Sequence, residues 1–242
     1  MNRTVRSSAA PLALLAALLA LLAAFLPTGC SGGSGSTQSV DAKKVVADAV
    51  PAMQALKSFH LVYEVAKPET AKPAQGLEVA KITGDVTADG KMQAAIDVLQ
   101  NGIPLQVNFV AVGDIHYIQD PTSQRWQGVP AAMSPVGKLN LSMGAVQILQ
   151  KIDKLEYVDS QDMGGVKTYH LKGSVSPAEV AGIVGAVTTS TPFAGQIWIG
   201  ADDHLVRRIQ IAGAATQGED PKTVRTIDLS AFDKPVTIEA PK

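Results

Sequence analysis

The feature that most constrains this chain is a pair of alternating runs joined by a two-residue turn. Over residues 91–100, Met92, Ala94, Ile96 and Val98 fall on one side of an extended chain. After Asn101-Gly102, the residues Ile103, Leu105, Val107, Phe109 and Ala111 repeat the pattern. A period of two is the signature of a strand with one face turned to a core. Asn-Gly supplies the two left-handed residues that a tight hairpin requires. The link is too short for a crossover, so the two runs are predicted to pair antiparallel, with nine apolar side chains on one face.

The alternation spreads in both directions. Phe59, Leu61, Tyr63 and Val65 form one more apolar file, and residues 76–87 alternate more loosely around Leu77, Val79, Ile82 and Val86. Gly113-Asp114 turns into a strand over 115–118. Later strands are predicted at 166–175, 196–200, 204–212, 223–230 and 236–240, with turns at Asp202-Asp203 and Gly218-Glu219-Asp220. Residues 121–141, with Trp126, Pro130 and Pro135, read as irregular loop.

Three helices interrupt the strands. Val46, Ala49, Val50, Met53 and Leu56 recur at helical spacing behind Asp41 as N-cap, with Pro51 predicted to kink or split the helix. A second helix is predicted from about 142 to 154 on a stripe of Val146, Leu149, Ile152 and Leu155. Ser176-Pro177-Ala178-Glu179 has the form of a capping box with proline at the first helical position, ahead of Val180, Ile183, Val184 and Val187. About ten or eleven strands running in blocks, with three helices, predict an α+β fold: an antiparallel sheet with helices on one face.

The N-terminus follows other rules. Arg3 and Arg6 precede an apolar stretch from Ala9 to Leu26, and Pro27-Thr28-Gly29-Cys30 closes it. This order matches a secretory signal. It resembles the bacterial lipobox, in which cleavage before a cysteine frees it to carry a thioether-linked diacylglycerol; Pro27 stands where that pattern prefers Leu. Residues 1–29 are thus expected to be removed and Cys30, the only cysteine, to become the lipid anchor. The alternative is an uncleaved spanning helix, since about 20 apolar residues cross a bilayer. Either way the remainder lies outside the cytoplasm at the bacterial cell membrane. Residues 31–39 have no apolar side chain and read as a flexible tether. Residues 40–242 read as one domain. Loss of Arg3 and Arg6 leaves 19 basic residues against 22 acidic ones, so no polybasic run remains to hold an anionic surface.

Composition excludes several classes. A net charge of -1 gives no basic face for nucleic acid. A single cysteine excludes an intrachain disulfide framework. His60, His116, His170 and His204 are assigned to four separate strands with no metal-ligand spacing, and no metal or cofactor is expected. No nucleophile motif, phosphate loop or dinucleotide fingerprint occurs. The pairs Asp202/Asp203 and Asp159/Asp162 sit in turn-like sequence, so no catalytic residue is assigned. Trp126 and Trp198 read as core or rim residues before ligand stackers.

An ordered set of segments resembles the LppX/LprA/LprF/LprG family of bacterial cell-envelope lipoproteins, related in fold to the LolA/LolB lipoprotein carriers. The carrying residues are Ala55-Leu56-Lys57-Ser58-Phe59-His60-Leu61, Thr83-Gly84-Asp85-Val86 and Phe109-Val110-Ala111-Val112-Gly113-Asp114-Ile115-His116-Tyr117. They continue with Ile197-Trp198-Ile199, Asp203-His204-Leu205-Val206, Ile209-Gln210-Ile211 and the closing stretch 229–241. The resemblance implies a strongly curved half-barrel with helices over its concave face and an apolar cavity between. It implies a non-enzymatic carrier for the acyl chains of multi-acylated envelope lipids or glycolipids, which relatives hand on with a membrane transporter's help. By strand register it implies a lipid-binding wall of Met92, Ala94, Ile96, Val98, Ile103, Leu105, Val107 and Phe109. Ordinary core is the competing reading of these eight residues, and an envelope sensor or protein-interaction module is the competing reading of the whole.

Overall fold

The computed structural model describes residues 40–68, 77–134 and 141–242; side chains of 141–143 are not described. Cys30, the tether and the signal segment lie outside the described residues. The strands are β1 (Ser58–Ala66), β2 (Leu77–Thr87), β3 (Met92–Gln100), β4 (Ile103–Val112), β5 (Ile115–Gln119), β6 (Trp126–Pro130), β7 (Asp153–Met163), β8 (Val166–Val175), β9 (Phe193–Gly200), β10 (Val206–Ala212) and β11 (Val224–Ser230). The helices are α1 (Ala42–Gln54), α2 (Leu141–Lys151) and α3 (Pro177–Val184). All eleven strands form one open antiparallel sheet in the order β6-β5-β4-β3-β2-β1-β11-β10-β9-β8-β7. It is a curved half-barrel whose edges are β6 and β7.

The Asn101-Gly102 turn forms as its residues demand. Both have positive φ, 51° and 81°, and Gln100 pairs with Ile103 across it. That pins the register, which sets Met92 opposite Ala111, Ala94 opposite Phe109, Ile96 opposite Val107 and Val98 opposite Leu105. A slip of one residue would turn the whole apolar file outward.

Helices and sheet share one apolar cluster. Val45, Val46, Ala49 and Met53 of α1 and Ile148 and Leu149 of α2 are buried in it. So are Val180 and Ile183 of α3 and, from the sheet, Leu61, Ile82, Leu171, Ile197, Ile209 and Ile227. The backbone of α1 comes closest to the sheet at β7 and β9, and α2 bridges α1 and α3. Small residues make that layering possible. A Cβ on Gly144 would lie 2.7 Å from Ile183, and one on Gly173 would lie 2.7 Å from Ile152. Ile152 thus fills a slot that β8 leaves open.

Several expectations are corrected. Pro51 does not split α1, which runs unbroken to Gln54; it stands near the C-terminal end, with less than a turn of helix beyond it. Asp41 caps α1 by accepting from the backbone N–H groups of Lys43 and Lys44 at 2.9 and 3.2 Å. Ser176 precedes α3 without a side-chain capping bond, so the capping box is not formed; Gly185, at φ 83°, ends the helix and leaves Val187 outside it. The second helix stops at Lys151, and residues assigned to its last turn begin β7, an edge strand whose exposed, polar sequence hid it. Trp126 belongs to β6 rather than to a loop. His204 lies in the connection before β10, with φ 58°, and not in a strand. Residues 236–240 form no strand. Positive φ at Ala231 and Asp233 turns the chain back, Asp233 accepts from the Lys57 N–H at 2.7 Å, and Ser58 donates to the Lys234 carbonyl at 2.5 Å. The tail is fastened to the start of β1, with Ile238 buried.

Candidate functional site

The sheet presents two chemically different faces. On the face that carries the helices, register aligns successive rows across the N-terminal half. Tyr63, Ile82, Ile96 and Val107 form one row, and Leu61, Gly84, Ala94, Phe109 and Ile118 form the next. All eight sequence-predicted wall residues lie on this face. Ala94, Ile96, Val98 and Phe109 are buried in the shared cluster, and Met92, Leu105 and Val107 pack partly buried against it. Ile103 is the exception. It is 63% exposed, at the same end of the sheet as Leu77, which is 52% exposed. The inner face therefore grades from dry to wet along β3 and β4, apolar up to Gln100, which faces Ile103 at the wet end.

Gly84 lets β2 and β3 approach closely within this wall. A Cβ there would stand 2.3 Å from the Gln93 carbonyl oxygen and 2.6 Å from the Ala94 Cβ. Only glycine lets β2 and β3 fold so closely toward the inner side.

Two polar devices interrupt the inner face: Arg225, which carried no sequence signal, and His116, which the sequence offered only as a rejected metal ligand. Arg225 of β11 is buried there, donating to Glu219 and, at 3.1 Å, to the Gly213 carbonyl. Glu219 also accepts from the Ala215 N–H at 2.6 Å. The charge pair is thus satisfied internally and fastens the β10–β11 connection. Tyr63 stands beside it, and burial pushes its phenol up to about 12. His116 of β5 meets the edge of Phe109, ring centroids 5.0 Å apart, and its buried Nδ1 has no hydrogen-bond partner. Burial holds its imidazole below the ordinary histidine range.

The opposite, outer face is polar. Arg208 makes a two-point contact with Asp228. His170 stacks on Trp198 at 4.3 Å and bonds Gln196 through Nε2 at 2.9 Å. Trp198 donates through its indole N–H to Gln161 at 2.8 Å. Over β1–β6 this face hollows into a groove of about 460 Å³, lined among others by His60, Asp85, Gln93, Asn108 and Trp126. Its side chains are scattered over 67 positions of sequence, so only the strand order brings them together. The alternation parity that marked the inner file marks its complement too, and that was the available signal.

The fold is an open curved antiparallel sheet with helices packed on its apolar face. The chain belongs to the LppX_LprAFG lipoprotein family, whose model matches residues 41–238. It is 27% identical over 215 residues to the lipoarabinomannan carrier protein LprG of Mycobacterium tuberculosis, covering 86% of this chain and 88% of that protein. The LprG of Mycolicibacterium smegmatis is 27% identical over 226 residues, covering 89% and 90%. Among solved structures, LprF from Mycobacterium bovis superposes with a TM-score of 0.66 at 19% identity, covering 84% of this chain and 99% of that one. LppX from Mycobacterium tuberculosis gives 0.59 at 18% identity, covering 81% and 97%. These two likenesses establish the fold.

Proposed function

We propose that this protein is a membrane-anchored extracytoplasmic lipoprotein that carries acyl chains of an envelope lipid or glycolipid against the inner face of its sheet, without chemistry. In this reading residues 1–29 are removed, Cys30 bears the anchor, 30–39 are the tether and 40–242 are the carrier domain. The carrying observation is the graded apolar face: Ile96 at 2% exposure and Val98 at 5% lead to half-buried Leu105 and then to Ile103 at 63%. A hydrocarbon chain enters at the exposed end, at Ile103 and Leu105, and reaches Ile96 and Val98 by parting the helices from the sheet, without meeting an unpaired charge, since Arg225 is neutralised by Glu219. Each buried CH₂ contributes about 0.8 kcal/mol, so two or three long chains bind well with no fixed polar contact. The LprG relatives, named as lipoarabinomannan carriers, support a multi-acylated glycolipid as the cargo class.

The test is native mass spectrometry of the full-length protein extracted gently from membranes. Stoichiometric acylated lipid is expected on the wild-type protein. Val107→Trp and Leu105→Trp, at half-buried wall positions, should each reduce loading while leaving the circular dichroism spectrum unchanged. Lipid-free wild-type protein, or loading indifferent to both variants, would overturn the reading. Cys30→Ala should release the protein from membranes or leave it unprocessed; unchanged processing and attachment would identify a spanning helix instead.

A further inference from the structure

We infer that the groove on the outer face of β1–β6 is a binding site for a neutral sugar ring, separate from the acyl-chain wall on the other side of the same strands. The register places His60, Asp85 and Gln93 in one outward row, and Thr83, Ala95, Asn108, Gln119 and Trp126 in the next. The hollow, about 460 Å³, lies within the roughly 300–1,000 Å³ range of small-molecule sites.

Its chemistry selects the ligand class. The floor is small, because Ala95 and Thr83 stand between the longer side chains, and the half-buried Trp126 forms one wall. Around them the polar groups are only partly used. Asp85 spends one carboxylate oxygen on His60 at 2.7 Å and keeps the other. Asn108 donates to Gln119 at 2.8 Å and keeps its carbonyl oxygen. The side chains of Gln93 and Thr83 make no protein hydrogen bond among the described residues. Planar amides and a carboxylate that offer both donors and acceptors match vicinal hydroxyls, each of which also donates and accepts. The C–H face of a pyranose matches an aromatic wall and a small apolar floor.

Other ligand classes fit less well. An anion would face the Asp85 carboxylate, and the one cationic candidate, His60, already holds that group. No cluster of metal-ligating residues occurs among the described residues. An acyl chain would strand these amides and the carboxylate without water, which costs free energy for every unpaired group.

The test uses the full-length lipid-loaded protein and a linear mannose trisaccharide, followed by ¹H–¹⁵N NMR. Shifts are expected at the Trp126 indole, the Gln93 and Asn108 side-chain amides and the Ala95 backbone. Trp126→Ala should weaken binding roughly tenfold, equivalent to about 1.4 kcal/mol. Gln93→Ala should weaken it as well, at a surface position where folding is not at risk. Absent shifts, shifts confined to the inner face, or an affinity unchanged in both variants would overturn the inference. Bound lipid is weighed on the same samples: its absence counts against the carrier reading, whereas lipid retained without sugar binding counts against the groove alone.

Discussion

Arg225 shows how a single side chain can hold a wall together at high stakes. Its guanidinium is buried on an apolar face and tolerable only because Glu219 and the Gly213 carbonyl complete it. Removing one partner from a buried pair leaves an uncompensated charge, which costs about 3–5 kcal/mol, whereas replacing both with apolar groups is far milder. Glu219→Gln is therefore expected to lower the chemical denaturation midpoint sharply. The double change Glu219→Leu, Arg225→Met should recover most of the loss. His116 sets a pH dependence of its own. Its imidazole is held below the ordinary range by burial, so the unfolded chain takes up a proton first as pH falls. Its contribution to stability is complete above about pH 6.5 and is lost as pH drops through the lower folded value. Denaturant titrations across that window should show a slope that His116→Leu removes. Tyr63 acts at the other extreme: with its phenol raised to about 12, its contribution is intact below about pH 10 and fades as pH rises toward 12.

Elements differ in how openly their residues declare them. The β3–β4 hairpin could be drawn from sequence to the residue, because Asn101-Gly102 dictates the turn and the turn dictates the register. The same parity puts all eight residues of the expected wall on one face. Edge strands β6 and β7 were obscured. Each needs only one partner and no continuous apolar file, so their mixed sequences resembled loop and helix. The outer groove was hidden for a different reason: its residues are close only after β1–β6 are laid side by side. At α1, Asp41→Ala should cost about 1 kcal/mol, seen in thermal unfolding, since two N–H groups lose their acceptor. In β2, Gly84→Val should cost about 1–3 kcal/mol, because the added carbons meet backbone that cannot yield. Under the carrier reading the same substitution distorts the wall and lowers lipid loading.

On the scale of the molecule, the carrier reading predicts that bound lipid adds to the stability of the fold. A ligand that binds only the folded form stabilises it by about 2.7 kcal/mol when present at 100 times its dissociation constant. Delipidated protein is therefore expected to melt several degrees below the loaded form, and re-addition of the extracted lipid should restore the difference. A melting temperature indifferent to lipid would count against the carrier reading.

Counting outward from the centre, the first strand of the domain and its last strand lie side by side, with one half of the polypeptide fanning away from each. Neighbouring strands elsewhere zip up locally, but this central seam waits for the final residues, and such distant pairings form slowly. A chain still threading through a membrane cannot complete its sheet until 224–230 have emerged. If the chain is exported as proposed, the two fans can join only on the far side of the membrane.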